Sequence, residues 1–169
     1  MSKTIIGVMG PGEGATVQET QAAYQLGKHI ALAGWILLTG GRNSGVMDAA
    51  NQGAKSVNGL TVGILPASDR QHLSKAVDIP ILTGMGSARN NINVLSSDVI
   101  IACGMGAGTA SEVALALKAG KPVILLNPSL ESQAFFQQLA NNQIFIADEV
   151  EEAIALTRQL LSRQSNPSA

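Results

Sequence analysis

Arg89 and Glu112 are the two residues whose types and placement offer chemistry, and they lie on either side of the apolar run Val99–Cys103. An arginine before that run can clamp a phosphate or stabilise charge on a leaving group. A glutamate after it can act as a general acid or base, or orient the polar edge of a ligand. Both also have plainer readings. Thr109-Ala110-Ser111-Glu112 fits a capping box in which Glu112 binds the backbone at Thr109, and Arg89 fits a surface side chain or a salt-bridge partner of Glu112. Asn90, Asn91 and Asn93 follow the arginine in an early helix, where their amides compete with the backbone, so some of them are expected to face a ligand or a neighbouring subunit.

Three glycine-rich stretches surround this pair. Gly104, Gly106 and Gly108 separate the apolar run from a helical pattern, and a turn with few Cβ atoms lets an anion reach the amides and the positive dipole end of the helix that follows. Gly10-Pro11-Gly12-Glu13-Gly14 leaves a first strand, and Gly40-Gly41-Arg42-Asn43-Ser44-Gly45 leaves a second. The candidate contacts are Gly10, Gly12 and Glu13 in the first loop; Gly40, Gly41, Arg42, Asn43 and Gly45 in the second; and Arg89, Asn90, Gly106, Ala107, Gly108, Thr109 and Glu112. A tight strand-to-helix turn without ligand is the alternative for any one loop, but recurrence in three loops favours a phosphate-bearing ligand.

Other chemistries are disfavoured. His29 and His72 form no metal-ligand spacing with the single cysteine, and neither is expected near a glycine loop, so no metal site is assigned. The nucleophile elbow of serine hydrolases is missing, and no lysine follows a Walker-type loop. The first loop has Ala15 at the last position of G-x-G-x-x-G, which leaves a dinucleotide possible but weakly supported. Cys103 reads as a small buried apolar residue rather than a reactive thiol, and the acids Glu149, Glu151 and Glu152 as the solvated start of a helix.

The elements that would position these residues alternate. Strands are expected at Thr4–Met9, Trp35–Thr39, Leu60–Leu65, Val77–Leu82, Val99–Cys103, Val123–Leu126 and Ile144–Ile146, with helices between most of them. Thr16 and Glu19 form a capping box opening the first helix, Gly34 ends it, and Pro80 argues for an edge strand or a short pairing, with the strand order on its side left open. The polar segment from Ala67 to Ala76 reads as a surface loop or a mobile flap. Alternation of this kind predicts an α/β fold: a single doubly wound, Rossmann-like, mostly parallel sheet with helices on both faces, whose strand ends share one ligand-binding rim. One domain is expected over residues 1–164, with a disordered tail at 165–169.

Composition narrows the partners. Charged residues make up 14% of the 169-residue chain, against roughly 25% in ordinary soluble domains, which suggests that part of the surface is covered in a homo-oligomer. The formal charge of -1 and 3% aromatic content, with no Lys/Arg stripe, argue against nucleic acid. No apolar run reaches membrane-spanning length, no signal peptide precedes the first strand, and a lone cysteine suits a reducing cytoplasm.

The assembled residues resemble the superfamily containing the lonely guy phosphoribohydrolases and the molybdenum cofactor carrier proteins. Gly106, Gly108, Thr109 and Glu112 match the signature P-G-G-x-G-T-x-x-E, and Arg89 stands twenty-three residues before Glu112. Gly40, Gly41, Gly45 and Met47 echo G-G-G-x-x-G-L-M, with Arg42 in place of the third glycine and Val46 in place of leucine. Gly104-Met105 replaces the Pro-Gly opening, and Asn90 replaces the lysine that usually follows the arginine. These departures are closer to the carrier branch. The resemblance implies a protein that binds the phosphate-bearing molybdenum cofactor, molybdopterin, without transforming it, forms homo-oligomers, often tetramers with a dimer as the alternative, and hands cofactor to molybdoenzymes. The other reading it permits is a nucleoside 5′-monophosphate phosphoribohydrolase, with Arg89 and Glu112 catalytic.

Overall fold

The computed structural model describes residues 3–165. Seven strands, β1 (Ile5–Met9), β2 (Ile36–Thr39), β3 (Thr61–Leu65), β4 (Ile79–Leu82), β5 (Val99–Cys103), β6 (Val123–Leu126) and β7 (Ile144–Ala147), form one sheet in the order β4-β3-β2-β1-β5-β6-β7. Every pairing is parallel. The helices are α1 (Val17–Leu32), α2 (Gly45–Lys55), α3 (Asn90–Leu95), α4 (Ala107–Lys118), α5 (Leu130–Leu139) and α6 (Val150–Ser165), with a 3-10 turn at Gly86–Arg89 leading into α3. The fold is the doubly wound α/β sheet expected from the alternation of elements. The chain runs outward from β1 to β4, then returns to place β5 on the other side of β1, so the strand order reverses between β1 and β5.

Side-chain alternation divides the core. Ile6, Val8, Leu37, Ile101 and Ile124 pack under α1, α2 and α6, whereas Leu38, Ile64, Ile100, Ala102 and Leu125 pack under α3, α4 and α5. β5 is buried along its whole length. An all-apolar strand of this kind fits the centre of a parallel sheet covered on both faces.

Local signals hold at the element ends. Thr16 and Glu19 exchange both capping-box hydrogen bonds, and Gly34 takes φ +78 to release the chain from α1. β4 is the sheet edge. Thr83 N donates to Leu65 O, so alternation along the strand turns the Pro80 nitrogen toward the open side, where no ladder donor is needed. The tail from 166 to 169 lies outside the described residues, and Ser165 is the last residue of α6.

The segment from Ala67 to Ala76 differs from a free flap. Ser74 N donates to Gly41 O at 2.9 Å, Asn43 N donates to His72 O at 2.8 Å, and Ser74 Oγ donates to Asp48 at 2.6 Å. These bonds tie the loop to the second glycine stretch and to α2. They also bring His72 beside a rim loop, contrary to the expectation that neither histidine would lie near one; the contact is through the backbone, which side-chain spacing cannot reveal.

α1 and α2 cross closely enough to require two glycines. A Cβ on Gly27 would overlap the Ala50 carbonyl oxygen, and a Cβ on Gly53 would overlap that of Tyr24. The reciprocal contact fixes the spacing of the two helices over β1 and β2, and hence where the N-terminus of α2 meets the first loop. Gly27→Ala should therefore destabilise the fold by about 3 kcal/mol, because the helices must separate to admit one methyl. Denaturant unfolding checks this, and a midpoint close to that of the unsubstituted chain would contradict the packing argument.

Candidate functional site

The loops leaving β1, β2 and β5 meet over the β1–β5 reversal and enclose a cleft of about 400 Å³. Open α/β sheets bind ligands at such a position. Gly12 and Glu13 come from the first loop, Gly40 and Arg42 from the second, and Gly106 to Thr109 from the third, where α4 begins. Gly106 is the N-cap of α4 and supplies no side-chain cap. Gly108 faces open space: a Cβ there would meet nothing within 4 Å. The start of α4 is thus a set of backbone donors with little side-chain cover.

Arg89 reaches this space from the 3-10 turn. It is 8% exposed, and its guanidinium lies so close to Gly40 that a Cβ at that position would sit 2.5 Å from Nη1. Its nearest charged partner is Glu112, with Nη1 4.0 Å from Oε1, and Nε has no hydrogen-bond partner among the described residues. Burial weakens the charged form and lowers its pKa; Arg42 acts in the same direction and Glu112 opposes it. An arginine nevertheless stays cationic. The result is an underused cation in a polar cleft.

Glu112 is 6% exposed and accepts a 2.7 Å hydrogen bond from Asn93 Nδ2. Burial raises its pKa above the ordinary carboxylate value, against the opposing effects of Asn93 and Arg89. The capping-box reading of Thr109 to Glu112 fails. α4 starts at Ala107, so Glu112 lies in its second turn and bonds α3 instead. Thr109 Oγ1, buried at the helix start, has no partner among the described residues. Arg89 is no surface side chain, and its pairing with Glu112 is loose. Asn90 Nδ2 donates to Ser111 Oγ at 2.8 Å, and Ser111 Oγ donates to Gly108 O at 2.7 Å, so Asn90 braces the third loop.

Of the residues singled out in the sequence, Gly10, Gly12, Glu13, Gly40, Arg42, Arg89, Asn90, Gly106, Ala107, Gly108, Thr109 and Glu112 line the cleft. Gly41, Asn43 and Gly45 do not. Gly41 packs on Gly63 and Leu65, Asn43 bonds the His72 carbonyl, and Gly45, at φ +55, has no room for a Cβ beneath the Pro11 and Gly12 carbonyls. Glycine loops serve packing as well as ligands, and composition cannot separate the two uses. The sequence reading missed Val8, Met9, Met47, Pro66, Gly86 and Ser87 as lining residues, whereas Pro11 lines the cleft within the first glycine loop. The motif Gly84-x-Gly86-Ser87 was an available signal, since it is a further glycine stretch at the carboxyl end of a strand.

Cys103 is buried, donates to Glu19 O at 3.4 Å, and has its thiol pushed up to about 12 by burial, with Glu19 adding to the shift. It acts as an apolar residue. Among the described residues no group of three His, Cys, Asp or Glu side chains is placed to hold a metal ion, and no helix is long and apolar enough to cross a membrane.

Solved structures with this architecture carry the comparison further. The chain is 63% identical to the molybdenum cofactor binding protein of the phototrophic bacterium Rippkaea orientalis, with a TM-score of 0.94 and coverage of 95% of this chain and 99% of that one. It is 54% identical to the molybdenum cofactor carrier protein of Chlamydomonas reinhardtii, with a TM-score of 0.91 and coverage of 95% and 99%. A cytokinin riboside 5′-monophosphate phosphoribohydrolase of Mycobacterium tuberculosis is a more distant relative, 26% identical over a 154-position alignment that covers 79% of this chain and 82% of the enzyme. The SLOG cluster4 family model matches residues 3–154, which hold the whole sheet and every covering helix except most of α6, and the chain belongs to the SLOG cluster4 family.

Proposed function

We propose that this protein carries the molybdenum cofactor, holding it by its phosphate in the β1–β5 cleft without transforming it. One observation carries the phosphate assignment: Arg89, nine-tenths buried, leaves Nε without a partner beside the uncapped start of α4. A buried donor in that state is stabilised by an incoming acceptor, and a phosphate monoester supplies several oxygens and a negative charge. Thr109 Oγ1 offers a further free donor, and the open space over Gly108 admits the group. The cleft volume suits a compact heterocyclic ligand. Nothing in a phosphate site specifies what the phosphate is attached to. The pterin comes from the similarity to the cofactor binding and carrier proteins, which is much closer than the similarity to the phosphoribohydrolase.

Roles within the cleft follow from position. Arg89 and the amides at the start of α4 grip the phosphate, Gly40 leaves room for the guanidinium, and Asn90 holds the third loop through Ser111. Arg42 and Glu13 stand 4.0 Å apart as an exposed pair lining the cleft from two different loops. A pair of this kind contributes little to stability, so Arg42 is free to turn to a ligand anion. The recipient would be a cofactor-free molybdoenzyme in a reducing cytoplasm. Homo-oligomer formation fits the uneven surface: Ile79, Ile81, Met85, Leu95, Phe135 and Leu139 are exposed on or beside the sheet face covered by α3, α4 and α5.

The protein isolated from cells making the cofactor should contain molybdopterin and restore activity to a cofactor-free molybdoenzyme. Release of free base from nucleoside 5′-monophosphates, abolished by Glu112→Ala, would instead establish a hydrolase. Arg89→Ala should weaken cofactor binding roughly tenfold to hundredfold, the range for one charge-assisted contact. Gly108→Val is a separate test, because its side chain enters open space: the melting temperature should hardly move while cofactor retention falls. Retention equal to that of the unsubstituted protein would remove the third loop from the site. Light scattering should give a mass of at least two chains; a monomer at micromolar concentration would contradict the assembly.

A further inference from the structure

We propose that anion capture in this cleft is coupled to uptake of one proton by Glu112. The inference rests on the phosphate reading of the cleft and adds a regulatory property to it. Glu13, Arg42, Arg89 and Glu112 are the titratable side chains lining the cleft. Glu112 faces Arg89 from the turn before α3 and Asn93 from α3; Arg42, in the second loop, acts on Arg89, and among the described residues Glu13 is the one other acid lining the cleft.

In the free protein the guanidinium of Arg89 faces the Glu112 carboxylate across 4.0 Å as its charge partner. A bound phosphate or sulfate takes the same guanidinium as its counter-ion. Two anions then share one buried cation, and their repulsion acts where solvent screens it poorly. A proton from solvent on the Glu112 carboxyl removes that repulsion.

Asn93 makes both protonation states acceptable. Its Nδ2 donates to the ionised Oε1 at 2.7 Å, while its own Oδ1 is buried without a partner among the described residues. Rotation of the amide about χ2 turns that oxygen toward Glu112, where it accepts from the carboxyl O–H. An aliphatic neighbour could not serve both forms. Burial already raises the Glu112 pKa in the free protein, so the step to the neutral acid is shortened before the ligand arrives.

The sign follows by linkage. If the anion raises the pKa of Glu112 further, a proton raises the affinity for the anion by the same factor. Affinity therefore increases as pH falls through the window between the free and loaded pKa values, by up to about tenfold per pH unit. Release of the anion returns the proton to solvent.

Sulfate is the appropriate probe, because its own charge is constant from about pH 5 to 8 whereas a phosphate monoester titrates there. Calorimetric titration of the full-length protein with sulfate, in two buffers of different ionisation enthalpy, should show proton uptake approaching one per sulfate. Glu112→Gln should bind sulfate with no uptake and with an affinity independent of pH, matching the low-pH value of the unsubstituted protein. Difference infrared spectra should show a protonated carboxyl band on sulfate addition, absent in Glu112→Gln. The infrared test on the unsubstituted protein decides alone if the variant does not fold. Sulfate binding without proton uptake, or uptake persisting in Glu112→Gln, overturns the coupling and leaves the phosphate cleft standing. Failure of sulfate to bind at all at millimolar concentration overturns both.

Discussion

The structure depends on keeping one guanidinium buried where the strand order reverses. Arg89 must leave water to reach the cleft, and only a loose interaction with Glu112 offsets the desolvation. Much of the local architecture follows. Gly40 cannot carry a side chain, the 3-10 turn must deliver the arginine inward, and α3 must place Asn93 against Glu112. A buried cation short of partners leaves donors already in place for an anion, which is the basis of the proposed phosphate site.

Glycine has three separate uses here. Gly27 and Gly53 let α1 and α2 touch through their backbones, which sets the frame. Gly41 and Gly45 take positive φ in the second loop and pack against neighbouring backbone, which shapes the rim without entering the cleft. Gly108 faces open space and leaves the helix start uncovered. Adding a methyl at the first kind of site acts on stability, and at the last kind on ligand access. A count of glycines hides that distinction.

The relation to the phosphoribohydrolases is a distant one in sequence, 26% identity, with altered surroundings at the cleft. Arg89 and Glu112 keep the spacing of the hydrolase signature, yet the following position is Asn90, which braces Ser111 rather than adding a second cation. The cleft therefore has one deep cation and one shallow one, Arg42, which stands where the resembling signature has glycine. The polar network around Glu112 is correspondingly asymmetric, with a single donor from Asn93 and no hydrogen bond from Arg89.

The amino-acid sequence by itself determined the α/β alternation, the capping of α1 by Thr16 and Glu19, the restricted pairing of the strand bearing Pro80, and the three rim loops, while that strand's place at the edge came from the sheet order. These features arise from neighbours a few residues apart, through apolar periodicity, capping and the missing proline N–H. Tertiary structure alone decided which partner Glu112 takes. A local capping box and a long-range bond to Asn93 are both compatible with the sequence, and the second occurs because packing α3 beside α4 brings the amide to 2.7 Å. The same holds for the loop from Ala67 to Ala76, pinned by backbone bonds to Gly41 and Asn43, and for the absence of Gly41, Asn43 and Gly45 from the cleft. Burial and backbone pairing between segments distant in the chain depend on how the layers pack, and no pattern of adjacent residues encodes that directly.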